Sequence, residues 1–549
     1  MDSDDVVLLG DEAIALGALH AGLGAAYGYP GTPSTEILEY LIARFERGDG
    51  PRAAWCANEK TAYEEALGAS FAGIRAIVTM KHVGLNVAAD PFVNSALVAI
   101  KGGLVLAVAD DPGMHSSQDE QDSRFYAEFA MVPCLEPTNQ QEAYEMTREA
   151  FDLSERFQVP VMLRITTRLA HSRAGVRTRA SRKGNPLGKS TDTAAWTLLP
   201  GNARKRFDRL CGIQAEMEAW SAVSTWNKAA ATVGQAEFAV ITGGLGRNYY
   251  EENLADLSAS LGGRSPARLH IGAYPLPAAK IRELAAATKR ILVIEEGAPF
   301  IEKAIRGILP AGVEVNGKLD GKLPRTGELN PDNVRAALAL APRPGVKLAV
   351  PPLPSRPPQL CAGCPHADSY NAVAKAVEGL PSTLITADIG CYALGALPPF
   401  SVPEALVCMG ASIGMAIGAA EAGYEHAIAF IGDSTFLHSG LTPLVDAVSR
   451  NVPITVVILD NSITAMTGGQ PALLPSGRLE EIAKGIGVQS SHVVVIDATR
   501  AASERNVAVF KSEIAHRGVS VVIARRECLE SIKQKKKKGA AVSSAEACE

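Results

Sequence analysis

Positive charge is in short supply. Fifty-four Lys and Arg stand against 59 Asp and Glu, a formal net charge of −5 over 549 residues, so no polybasic face is expected and nucleic acid or anionic membrane is excluded as a main partner. Long apolar runs are missing too. The longest weakly polar stretch, Ala405 to Ala420, falls short of the roughly 20 residues a bilayer span needs, and its small side chains predict a buried helix. The N-terminus, Met1-Asp-Ser-Asp-Asp5, has no basic stretch followed by an apolar core, so no secretory signal and a cytoplasmic chain are expected. Cysteines are sparse and odd in number, nine in all, which argues against a disulfide framework. Fifty Gly and 33 Pro are about 15% of the chain, too few for a low-complexity or disordered protein. What is left is a multidomain globular chain, of three or four domains by length, whose expected ligand is small.

Along the chain, three α/β blocks are separated by segments that lose their period. In residues 1–175, short β-branched runs such as Ala76-Ile-Val-Thr79, Gly103-Leu-Val-Leu-Ala-Val108 and Pro160-Val-Met-Leu-Arg-Ile165 alternate with alanine-rich helical stretches, the pattern of a parallel sheet. Residues 176–234 form a polar linker with a helical segment around Arg206 to Ala229. Residues 235–345 return to strand and helix, 346–360 are proline-rich, 361–530 form the third block, and 531–549 are a basic, then small-residue tail expected to be disordered. A nuclear address in its lysines is a weak signal.

The third block carries the most informative pattern. His426-Ala-Ile-Ala-Phe-Ile-Gly-Asp-Ser-Thr435 reads as a buried strand ending in Gly-Asp-Ser, and Ile454-Thr-Val-Val-Ile-Leu-Asp-Asn461 as the next strand, ending in Asp-Asn. Both polar ends fall at the carboxyl edge of a parallel sheet, where ligands bind in open α/β folds. Asp433 and Asn461 offer the hard oxygens that Mg2+ takes, and Gly432 permits close backbone approach. The plainer reading is that Asp433 caps a helix and Asp460-Asn461 makes a turn.

This Gly-Asp-x … Asp-Asn arrangement resembles the diphosphate motif of thiamine diphosphate enzymes, with Ser434 where a glycine is usual. Cys361-Ala-Gly-Cys-Pro-His366, Ala387-Asp-Ile-Gly-Cys-Tyr392, Cys408-Met-Gly-Ala-Ser-Ile-Gly414 and Thr464-Ala-Met-Thr-Gly-Gly-Gln470 follow the order of the diphosphate-binding domain in 2-oxoacid:ferredoxin oxidoreductases, and resemble most the large subunit of their indolepyruvate branch. The resemblance implies transketolase-like parallel sheets flanked by helices: a pyrimidine-binding domain at 1–175, a transketolase C-terminal-like domain at 235–345 and a diphosphate-binding domain at 361–530. It implies Mg2+ held by Asp433, Asn461 and the Ile463 carbonyl, and thiamine diphosphate against Gly410, Ser412, Gly414, Gly432, Ser434 and Thr467, since a Gly-rich turn opening a helix presents N–H groups to anions.

In the first block, Asn58-Glu-Lys-Thr-Ala-Tyr-Glu-Glu65 resembles the family segment whose glutamate activates the aminopyrimidine, Glu59 by position, with Glu64 and Glu65 as alternatives. Gly28-Tyr-Pro-Gly-Thr-Pro-Ser-Thr-Glu36 predicts Thr32 as a helix N-cap with Pro33 at the first helical position. The family resemblance makes Thr32 the contact for the 2-oxo acid. Lys81, His82 and the run Met114-His-Ser-Ser-Gln118 also resemble family segments beside the site, and His82 is the candidate there for a direct role.

Cys361, Cys364, Cys391 and Cys528 match the positions at which two-subunit relatives hold a cluster beside thiamine, and four thiolates suit one [4Fe-4S] centre. Structural zinc or free thiols are the alternatives. Cys56, Cys134, Cys211 and Cys408 read as small hydrophobes. The resemblance runs to about residue 528, short of the ferredoxin-like domain with which the branch's large subunit ordinarily continues. It implies oxidative decarboxylation of an aryl 2-oxo acid such as indolepyruvate or phenylpyruvate, capture by coenzyme A as an acyl thioester, and a heteromer with a smaller subunit and an electron-acceptor protein. Met466, apolar as in that branch, is compatible with a bulky substrate. A non-oxidative decarboxylase or carboligase, and a noncatalytic scaffold subunit, are the other readings.

Overall fold

The computed structural model describes residues 5–189, 192–230, 238–286, 288–345, 358–475, 477–533 and 535–536. Most of the proline-rich stretch 346–360 and of the tail 531–549, with Cys548, lie outside them. The chain divides into two compact units, residues 1–348 and 349–549. Among the described residues no helix is long and apolar enough to cross a membrane, and the described cysteines are all free thiols.

The first unit is built on a seven-stranded sheet. Its elements are α1 (Gly10–His20), β1 (Ala25–Gly28), α2 (Thr35–Glu46), β2 (Arg52–Trp55), α3 (Glu59–Phe71), β3 (Ala76–Lys81), α4 (His82–Ser95), β4 (Leu104–Asp110), β5 (Cys134–Leu135), α5 (Gln140–Phe157), β6 (Val161–Thr166) and α6 (Thr167–His171). The strands run in the order β5, β6, β4, β3, β1, β2, all parallel. β4 and β6 are buried along their whole length, which is why they read as continuous apolar runs and need helices on both faces. The short strand Ala273–Tyr274, from the middle of the chain, adds antiparallel to β5. Residues of the first and middle blocks thus share one sheet and one hydrophobic core. The middle block has its own five-stranded sheet. In the linker, the expected helical segment is two helices, Pro200–Gly212 and Gln214–Val223, and Lys228–Ala230 is an edge strand of the middle sheet.

A buried ionic network joins these blocks. Arg164 on β6 meets Asp110 at 2.7 Å and also bonds Glu136, while Arg124 meets Asp122 at 2.5 Å and Glu295 at 2.9 Å. Burial alone would raise the Asp122 carboxyl, but Arg124 and Arg164 override it and hold it near 2. The neighbouring Glu296 is balanced more weakly. Burial pushes it up to about 7, against the pull of the Leu329 N–H and Lys318. A carboxyl raised on folding is protonated in the native state while ionised in the unfolded chain, so stability falls as pH rises from about 4.5 to 7. Glu296→Gln, which keeps an acceptor for Leu329, is therefore expected to be more stable than wild type by roughly 2–3 kcal/mol at pH 8 and by little at pH 4.5, read by urea unfolding at both pH values.

The second unit holds α7 (Pro365–Val377), β7 (Thr383–Ala387), β8 (Ala405–Leu406), α8 (Ala411–Glu421), β9 (His426–Gly432), β10 (Ile454–Asp460), β11 (Val493–Asp497) and β12 (Ser520–Arg525). The sheet order is β8, β7, β9, β10, β12, β11, parallel throughout. Along β10 the pleat sends Val456 and Ile458 into one core and Val457 and Leu459 into the other. The stretch Ala405–Ala420 is not one helix as expected. It is a strand and an exposed turn, and α8 starts only after Gly410, whose φ of 81° closes the turn.

Candidate active site

In the second unit, Gly432 of β9 lies opposite Leu459 of β10, so Asp433 and Asn461 leave neighbouring strands at the same carboxyl edge. Asp433 is buried, with Oδ1 accepting from the Ser434 N–H and Oδ2 from the Ser462 N–H, each at 2.6 Å. Burial pushes its pKa up to about 7 despite these donors. Asn461 Oδ1 accepts from the Ile463 N–H at 3.1 Å, and its Nδ2 lies 3.2 Å from His366 Nε2. A buried carboxylate with no cationic partner among the described residues, an amide oxygen and an adjacent backbone carbonyl are a hard-oxygen set of the kind that fits Mg2+. Glycine is needed at 432 because an added Cβ would lie 2.6 Å from the Tyr392 ring.

Tyr392 ties the site together. Its hydroxyl donates to Asp388 and lies 3.1 Å from Thr435 Oγ1, which can donate to it. Asp388 also accepts from Ser412 Oγ at 2.7 Å and from the backbone N–H groups of Gly410 and Ser412. These bonds set the state of the expected anion receptor in the free chain. The opening of α8 is met by the chain's own carboxylate, Ser412 is fully buried with its hydroxyl on Asp388, and Gly414 is exposed. The loop after β10 closes onto the aspartate turn through Thr464 Oγ1, which donates to Ser434 Oγ at 3.0 Å. Thr467 holds that loop by donating to Gln470 Oε1 at 2.6 Å.

Sheet topology also gathers the four distant cysteines. The Cys391 thiol is pushed up to about 12 by burial first, then by Cys364, Cys528 and Cys361. The Cys364 N–H donates to the Cys361 carbonyl at 3.0 Å, and the Cys528 N–H to the Asn461 carbonyl at 3.3 Å. Among the described residues no three of these thiols lie within 4.8 Å of one another.

The first unit presents a second constellation. Asn58 caps α3 by accepting from the Thr61 N–H at 2.8 Å. Glu59, the first helical residue, is 5% exposed, whereas Glu64 and Glu65 are exposed. Its carboxylate lies against α4 where a Cβ on Gly84 would come within 2.5 Å of Glu59 Oε1. Lys81 Nζ donates to the Ser116 carbonyl at 3.1 Å, and Ser116 Oγ to the Thr32 carbonyl at 3.4 Å. Burial lowers the Lys81 pKa, against the pull of Asp111, Asp119 and Glu59. Thr32, Lys81 and residues 114–118 thus meet, with Glu59 in electrostatic reach. One placement differs from expectation. The N-cap of α2 is Ser34, so Thr32 precedes the helix instead of capping it. The loop is held by Ser34 Oγ donating to the Gly31 carbonyl and Thr35 Oγ1 accepting from the Gly31 N–H. His82 is fully buried with Nε2 at 3.2 Å from Asp119 Oδ1.

Residues 16–233 match the family profile of pyruvate flavodoxin/ferredoxin oxidoreductase, thiamine diphosphate-binding, and residues 388–524 that of the thiamine pyrophosphate enzyme C-terminal TPP binding domain. The indolepyruvate oxidoreductase subunit IorA of Methanothermobacter thermautotrophicus is 38% identical, and that of Archaeoglobus fulgidus 39%. Each alignment covers 96% of this chain and 87% of the relative. The chain belongs to the indolepyruvate oxidoreductase IorA family. It is a thiamine diphosphate-dependent 2-oxoacid oxidoreductase. A solved 2-oxoglutarate:ferredoxin oxidoreductase from Magnetococcus marinus, with 2-oxoglutarate, coenzyme A and succinyl-CoA bound, shares the fold at a TM-score of 0.51 and 18% identity, covering 61% of this chain and 65% of that one. Within this IorA-family chain, Asp388, Tyr392 and His366 are the site residues that sequence reasoning passed over. They stood inside the quoted segments, but only burial shows that their polar atoms turn onto the aspartate turn, the start of α8 and Asn461.

Proposed function

We propose that this chain is the subunit that oxidatively decarboxylates an aryl 2-oxo acid, such as indolepyruvate or phenylpyruvate, to its acyl-CoA. Asp433, Asn461 and the Ile463 carbonyl would hold Mg2+ and, through it, thiamine diphosphate. Bound there, the cofactor supplies a carbon nucleophile for the ketone and a sink for the electrons left when carbon dioxide departs. Glu59 would hold and move the proton on the aminopyrimidine, Thr32 would orient the substrate carboxylate, and the exposed Met466 would offer an apolar contact to an aryl group. Cys361, Cys364, Cys391 and Cys528 would hold one [4Fe-4S] cluster, a one-electron acceptor.

The observation that carries the redox reading is the backbone bond from Cys528 to Asn461, which joins the four-thiol group to the residues of the metal site. A smaller oxidoreductase subunit and an electron-acceptor protein complete the assembly, in keeping with the relatives' designation as subunits. The test is anaerobic analysis of iron, sulfide and thiamine, followed by 2-oxo acid-dependent dye reduction with and without coenzyme A. Close to four irons per chain and CoA-dependent thioester are expected, and Cys391→Ala should lose the iron while keeping thiamine diphosphate. An iron-free active protein releasing aldehyde would instead establish non-oxidative decarboxylation.

A further inference from the structure

Away from these groups, three ligating side chains converge at the start of the first unit. Asp11 and Glu36 lie in the first turns of α1 and α2, and His171 ends α6. One carboxylate oxygen from each acid and one ring nitrogen all lie within 4.8 Å of one another. The convergence is tight because Gly10, which opens α1, packs so closely on α6 that a Cβ would lie 2.2 Å from the Leu169 carbonyl. Asp11 is 0% exposed, and among the described residues neither of its carboxylate oxygens meets an N–H or hydroxyl donor, its near neighbour being the Glu36 carboxyl. The nearby Glu12 cannot serve it, being an acid already engaged with the Leu9 N–H at 2.8 Å. Glu36 Oε2 stands 3.5 Å from His171 Nε2, and these two side chains are 36% and 35% exposed.

A carboxyl stripped of water and given no donor is costly to ionise, and buried charges are retained where they are paired or bind a metal. Burial and then Glu36 push the Asp11 pKa well up, the mark of that missing partner. We infer that Asp11, Glu36 and His171 form a site for a divalent transition-metal ion. The donor set names the class of ion. Two carboxylate oxygens and one imidazole suit Mn2+, Fe2+ or Zn2+, whereas Mg2+ and Ca2+ favour oxygen alone. The half-exposed Glu36 and His171 form the solvent side, where the ion enters and water completes its shell. Since Glu36 follows the Thr32 loop, the metal fixes the start of α2 and neutralises the acid nearest that loop.

The test uses the chelator-treated full-length chain carrying Asp433→Asn, which removes the other acid proposed to bind metal. Mn2+, poorly held by thiols, is titrated in and free ion is followed by electron paramagnetic resonance. One Mn2+ per chain is expected, displaceable by Zn2+. His171→Gln, a change at a half-exposed position, should weaken binding at least about tenfold, and Asp11→Asn more than about 100-fold, above the roughly 10–100-fold that loss of a supporting residue costs. Absence of Mn2+ binding, or binding unchanged in both variants, would overturn the site and mean that Asp11 and Glu36 share a proton beside a charged His171. Because turnover is not the readout, that result leaves the proposed oxidoreductase function untouched.

Discussion

Asp433→Ala is expected to abolish retention of thiamine diphosphate and, with it, 2-oxo acid-dependent dye reduction. Asp433 is the one carboxylate of the hard-oxygen set, and loss even of a group that only supports a metal ligand typically weakens binding roughly 10–100-fold; loss of the charged ligand itself should exceed that range. The neighbouring Asp460 is a sharp control. Its carboxylate is paired with Arg525 at 2.9 Å, so Asp460→Asn should leave Mg2+ affinity within a few-fold of wild type. Asp433→Ala also takes the acceptor from the Ser434 and Ser462 N–H groups, a cost of about 1–3 kcal/mol for each donor left buried and unsatisfied, so a melting curve is needed to separate loss of binding from loss of fold. Equilibrium dialysis of thiamine diphosphate with Mg2+ decides the matter, and undiminished retention would reassign the metal site.

For Glu59→Gln the expected result is nearly opposite in kind: cofactor retained, activity lost. The amide keeps the shape that packs against Gly84 but cannot accept and return a proton, and removal of a positioned acid–base group typically costs about 10²–10⁴-fold in rate. Glu64→Gln and Glu65→Gln, at exposed positions, should change the rate less than roughly threefold. Gly84→Ala offers an independent approach. Its methyl would stand 2.5 Å from Glu59 Oε1, so displacement of the carboxylate should slow turnover while the acid itself remains. Steady-state dye reduction at saturating thiamine diphosphate reads all four variants, and wild-type turnover in Glu59→Gln would remove Glu59 from its proposed role.

Much of the diphosphate half was legible before any coordinates. Two β-branched runs ending in Gly-Asp and Asp-Asn have few ways to fold except as adjacent parallel strands, and that placement brings Asp433 beside Asn461. Thr32 was misread for a local reason. Pro33 is a strong signal for the first turn of a helix, yet Ser34 and Thr35 bond back to Gly31 and delay α2 until Thr35. At the turn 408–414 the sequence did not show a non-local partner: Asp388, brought from the end of β7 by the sheet, meets the N–H groups of the Gly-rich helix start.

By itself the sequence determined the α/β class, the parallel strands, the order of the thiamine segments and the chemical kinds of residue at the site. Those properties live in local pattern: period, β-branching, turn residues and spacing. Tertiary structure alone decided which of three chemically equal glutamates is buried, that four cysteines between 361 and 528 come together, and that Asp11 meets Glu36 and His171. Burial and convergence depend on how closely distant backbone can approach, as Gly84 does at Glu59 and Gly10 at α6, and no pattern within a single segment records which partner that backbone will meet.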